Sequence, residues 1–192
     1  MRFIVLILIT SCFSCSAQGT KQRVNDDFYL RSHELLDDIF NKGTLTFALK
    51  RNFDFNDNLN LTNSKLFGKI YPFDSKYFKE KHNIDVTKND FVNFKNTSGW
   101  ITGSKDKIPN QWDENLFFKS KMTLVDVNQK KFIYSLNGIN YINCIPLNIN
   151  FKKDLAMVEY KGAFGLELRV YKFIAGKWHT IAGADEYKNA PE

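Results

Sequence analysis

Apolar positions change period along this chain. Between Phe28 and Phe40 they fall at 28, 35, 36, 39 and 40, a spacing that lays them on one face of a helix. Asn25 or Asp26 can cap its start and Gly43 follows its end, so a helix is expected over 25–41. Leu45–Leu49 (LTFAL) alternates and reads as a strand. Residues 52–64 are rich in Asn, which hydrogen-bonds its own backbone and favours loops. Two short helices are expected over Phe73–His82 and Thr87–Phe94. Asp74 or Ser75 would cap the first, and Thr87 with Asp90 makes a capping-box-like start for the second. The Gly-, Ser- and Pro-containing stretch 96–111 reads as a loop around Trp100.

After Leu116 the texture becomes strand-like. Candidates are Met122–Val127, Lys131–Leu136, Ile139–Ile145, Leu147–Phe151, Leu155–Tyr160, Leu166–Phe173 and Lys177–Ile181. Asn137-Gly138 supplies the two positive φ angles of a type I′ turn and predicts a hairpin between the second and third. Successive hairpins require antiparallel neighbours, so this half is expected to be a meander of about five strands. Helices first and sheet second is the α+β arrangement: N-terminal helices packed on one face of a C-terminal antiparallel meander. Nuclear-transport-factor-2-like (NTF2-like) and cystatin-like folds share that layout, an analogy of architecture alone.

The first residues address a different question. Met1-Arg2 carries a positive charge, Phe3–Ile9 is uninterruptedly apolar, and small polar residues follow, the order of a secretory signal. The run is far shorter than the ~20 residues a spanning helix needs. Ile9-Thr-Ser-Cys12 looks like a bacterial lipobox, in which Cys12 would be acylated. Phe13-Ser14-Cys15 is an alternative box, and ordinary cleavage after Ala17 a third outcome. Residues 1–17 are thus expected to be a signal peptide, 18–25 a tether, and 26–192 one domain. The expected location is the periplasm or outer membrane, with a lipid anchor favoured over free secretion.

Composition narrows the partners. The formal charge is +6, but only five of the 27 basic residues are Arg, and the lysines are scattered. A solvated surface explains that pattern, and nucleic acid is not an expected partner. Of the three cysteines, Cys144 lies in an apolar strand and no disulfide framework is expected.

Trp112-Asp-Glu-Asn-Leu116, Leu124-Val-Asp126, Ile145-Pro-Leu-Asn-Ile-Asn-Phe151, Asp154-Leu-Ala-Met-Val158 and Gly176-Lys-Trp178 form a recognisable texture. Over about residues 112–181 it resembles a group of uncharacterised exported proteins of Gram-negative bacteria. Ile145 stands where serine is usual in that group, and Gly162-Ala-Phe-Gly165 replaces a paired-cysteine turn. The resemblance implies a sheet and export; it assigns no activity and no site.

Candidate chemistry is sparse. Asp54-x-Asn56-x-Asn58 opens like a calcium loop, but Leu59 and Lys65 stand where Gly and Glu are needed. His33, Glu34 and Asp37 sit together on the first helix, with Glu34 placed like the general base of a zincin. A second His at helical spacing is missing, however, and zinc needs at least three protein ligands. Tyr160, Phe164, Tyr171, Trp178 and His179 lie on or near the last three strands, where aromatics can line a ligand pocket or pack the core. No cofactor is implied. The favoured expectation is a non-catalytic binding module for another envelope protein, or for a toxin in an immunity role. The alternatives are a metal-dependent hydrolase using His33, Glu34 and Asp37, and a pocket for a small apolar ligand.

Overall fold

The computed structural model describes residues 27–41, 46–52, 60–104, 108–126, 139–142, 148–161 and 165–187. Helix α1 covers 27–39 and buries Phe28, Leu35, Leu36 and Phe40, the apolar face set by its periodicity. Each such side chain contributes about 1.5–3 kcal/mol by leaving water. Helix α2 (Ser75–His82) begins at Asp74, whose carboxylate accepts from the amides of Lys76 and Tyr77, and ends at Asn83 in the left-handed region. Helix α3 (Lys88–Lys95) starts with the expected box: Asp90 Oδ2 accepts from the Thr87 amide at 2.9 Å and from its hydroxyl at 3.2 Å.

Among the described residues nine strands form two sheets. The smaller contains β1 (Thr46–Lys50), β4 (Lys121–Val125) and β5 (Ile139–Ile142), in the order β4-β1-β5. Both pairings are parallel, Thr46 facing Lys121 on one side and Ile139 on the other. Central β1 buries Phe47, Ala48 and Leu49 in succession, as a strand covered on both faces does.

The larger sheet is antiparallel and runs β2-β9-β8-β7-β6-β3. Its members are β2 (Tyr71–Pro72), β3 (Ile101–Thr102), β6 (Ile149–Lys152), β7 (Leu155–Lys161), β8 (Gly165–Ile174) and β9 (Lys177–Tyr187). Between β8 and β9, Ala175 and Gly176 have φ of 50° and 79°, the pair of positive angles a two-residue hairpin demands. The β8–β9 register slips by one residue: Val170 faces Ala182 while Tyr171 faces Thr180. This bulge lets Ile181 and Ala182 enter the same core, and it keeps Trp178 and Thr180 on the opposite side.

Alternation along these strands splits the interior in two. Ala156, Val158, Tyr171 and Trp178 pack with α1 and the parallel sheet. Leu155, Met157, Leu168, Val170, Ile181, Ala182 and Ala184 pack with Leu61, Leu66, Ile84, Val86 and Phe94 from the segments around α2 and α3.

The α+β class is as the sequence indicates, with three corrections. Helical segments cover both faces of the antiparallel sheet, since its strands carry apolar side chains on both sides. The segment from Ile139 does not join the meander; β5 adds in parallel to β1, while its expected hairpin partner, with Asn137-Gly138, lies outside the described residues. Within the expected loop 96–111, Ile101–Thr102 forms a short edge strand against Phe151 and Asn150 of β6.

Candidate functional site

Helix α1 places His33 and Asp37 on its buried face, 1% and 2% exposed, and leaves Glu34 in solvent. Nδ1 of His33 lies 2.9 Å from the Tyr29 carbonyl oxygen and Nε2 lies 3.1 Å from the Asp113 amide nitrogen. A carbonyl only accepts and an amide N–H only donates, so the ring is the neutral Nδ1–H tautomer with its lone pair engaged. Burial lowers the His33 pKa, opposed by the Tyr29 carbonyl and by the charges of Asp113 and Asp37. The ring packs among Tyr29, Trp112 and Phe117.

Asp37 accepts from three successive backbone amides, those of Phe118 (2.9 Å), Lys119 (2.8 Å) and Ser120 (2.6 Å). Beside it, Asp38 accepts from the Trp178 amide at 2.7 Å and lies 3.3 Å from Lys119 Nζ. His33 and Asp37 therefore fasten α1 to residues 113–120, their donor atoms engaged by the backbone. Among the described residues no three His, Cys, Asp or Glu side chains come together as a metal-ligand group.

A second place is more open. Between the C-terminal end of α1 and strands β7–β9 lies a cavity of about 460 Å³, with walls formed by Phe40, Tyr160, Tyr171, Trp178, Glu167 and Arg169 among others. Four of the five aromatic and histidine positions singled out in the sequence, Tyr160, Tyr171, Trp178 and His179, thus line it. His179 reaches the rim; it pairs with Lys172 across the strands, and Lys172 bonds to Asp90 on the α3 side. Phe164 lies outside the described residues. The wall is not the apolar one expected: Asp38, Thr180, Glu167 and Arg169 also line it.

Arg169 organises this wall. Its Nη2 sits 3.0 Å from Glu167 Oε2 and 2.5 Å from Asp185 Oδ1, and Nη1 donates to the Ala184 carbonyl at 3.1 Å. Burial would lower its pKa, but hydrogen bonding to Asp185 and the surrounding charges more than offset that and raise it. Gly183, opposite Arg169, makes room for the side chain: a Cβ there would lie 2.9 Å from Arg169 Cδ and 3.2 Å from the Leu168 carbonyl oxygen. Tyr160 donates its hydroxyl to Glu167 Oε2 at 2.8 Å, and burial, aided by Tyr171 and Glu167, pushes the phenol pKa up. The Trp178 indole Nε1 is buried with no hydrogen-bond partner.

The sequence offers Glu159, Glu167 and Asp185 as carboxylates that could pair, but it does not single out Arg169, which joins two of them. The available signal was alternation: charged residues at 167 and 169, interleaved with Leu166, Leu168 and Val170, mark the second face of one strand. Comparison with protein-family models, with curated proteins and with solved structures finds no match.

Proposed function

We propose that this protein is an exported, lipid-tethered, non-catalytic binding protein whose ligand is a small polar molecule held in the cavity between α1 and β7–β9. The convergence of Tyr160, Tyr171 and Trp178 with Glu167 and Arg169 on that cavity carries this reading. Concave sites with aromatic walls and a few placed polar groups are where small ligands bind. The ionisable groups there hold one another, Arg169 with Glu167 and Asp185, an arrangement suited to recognition. Export rests on the order of charge, apolar run and small residues in 1–17, with Cys12, or Cys15, as the acylated residue.

Thermal unfolding of the purified chain across a panel of small polar compounds tests the binding. A ligand at 100 times its Kd stabilises by about 2.7 kcal/mol. The expected result is at least one compound that raises the midpoint in the parent and not in Thr180→Phe, which fills the cavity. No stabilising compound, or stabilisation that survives Thr180→Phe, overturns the reading. Mass measurement of the native N-terminus tests acylation separately.

A second reading, binding of a protein partner, draws on a different groove along α1. Phe118 is 81% exposed and Leu30 51%, beside a groove of about 300 Å³. An exposed Phe there would anchor a partner, and Phe118→Ser is expected to weaken that complex while leaving ligand stabilisation intact.

A further inference from the structure

We propose that the cavity selects an organic cation, a primary or quaternary amine; this rests on the ligand-binding reading above and names the class of ligand. The obvious alternative is an anion on Arg169, and its bonding argues against it. A guanidinium has five N–H donors. Nη1 points to the carbonyl oxygens of Leu168 (3.3 Å) and Ala184 (3.1 Å), and Nη2 to Glu167 and Asp185. Three of the five donors thus have protein acceptors, Asp185 adds an ion pair, and an incoming anion would have to break a double carboxylate clamp.

What remains open suits positive charge. Glu167 receives both Tyr160 and Arg169 on Oε2, and among the described residues Oε1 has no partner. Of the charged side chains that line the cavity, Asp38 and Glu167 outnumber Arg169, one negative charge in excess in a chain whose net charge is +6. Burial lowers the His179 pKa, so the rim adds no compensating proton near neutral pH. Phe40 and Tyr160 meet edge to face, centroids 5.8 Å apart, and make an aromatic corner beside Tyr171. Ring faces attract ammonium groups, by about 0.5–2 kcal/mol depending on desolvation. The molecule already uses this contact nearby, with Arg31 over the Phe151 ring at 4.3 Å. The Trp178 indole N–H, buried and without a hydrogen-bond partner, belongs to a residue of this wall and can report on what enters beside it.

The test follows the Trp178 indole N–H resonance in ¹⁵N-labelled full-length protein, assigned by its loss in Trp178→Phe. Four probes are titrated at matched ionic strength: tetramethylammonium chloride, n-butylamine, sodium butyrate and n-butanol. Saturating shifts are expected with the two cations and not with the other two. Glu167→Gln is expected to weaken the cations at least tenfold, and Thr180→Phe to abolish the shift should Glu167→Gln fold poorly. A saturating response to butyrate or butanol equal to that of the amines overturns the cation preference while leaving the cavity a binding site. Silence for all four probes also overturns it, and the broader reading then stands or falls on the compound panel.

Discussion

The two faces of the antiparallel sheet are made by the same strands and closed differently. Toward α3, β8 and β9 present Leu168, Val170, Ala182 and Ala184, and Phe94 fills the space above them. Toward α1, the intervening positions are Glu167, Arg169 and Thr180, and a cavity stays open. One strand pair thus supplies close packing on one side and a polar, open wall on the other. Because strand side chains alternate, each side can change without disturbing its reverse.

Several substitutions can break or sharpen that contrast. The largest effect is expected from Phe94→Ala, which removes a fully buried ring from the closed face and should lower stability by about 3–5 kcal/mol in urea unfolding. Thr180→Ala on the cavity face should change it by no more than about 0.5 kcal/mol. Similar losses at the two positions would show that both faces are packed alike. Next comes Asp37→Asn, which turns part of an all-acceptor group into a donor facing three amides; a loss of about 2–3 kcal/mol is expected by the same measurement. Gly183→Ala forces Arg169 and the Leu168 carbonyl to give way, for about 1–2 kcal/mol, with weaker ligand stabilisation as the companion readout.

The smallest effect concerns pH. His33 is neutral in the fold, with a pKa held below its ordinary 6.5, so the unfolded chain takes up the proton first. Its contribution is fully present above pH 6.5 and is lost as pH falls from there through the lowered folded value. Unfolding midpoints at pH 7.5 and 5.5 should therefore differ more in the parent than in His33→Gln. Equal differences would remove His33 from the buried network.

Local features were legible and non-local ones were not. The Asp74 cap and the Thr87–Asp90 box are written in adjacent residues, and each occurs where the sequence places it. The parallel pairing of β1 with β4 and β5 joins residues far apart in the chain and leaves no local mark, so Ile139–Ile142 reads as a hairpin arm. Coverage of both faces was written more plainly than its reading allowed: Leu155-Ala-Met-Val158 is continuously apolar, as a strand buried on both sides must be. At the site, Tyr160, Tyr171 and Trp178 were found because aromatics stand out. Arg169 stayed hidden because a strand arginine ordinarily faces water, and only the fold brings Asp185 beside it.

The anchoring of α1 bears on when this chain can mature. The bond from Asp38 to the Trp178 amide spans 140 residues, and Arg31 reaches the Lys153 carbonyl across 122. Polypeptides are made, and threaded through membranes, from the amino end. The first helix therefore emerges before residues 113–120, Lys153 and β9, its docking partners, and its anchoring is complete only when the last strand has followed it. Such late closure favours slow folding.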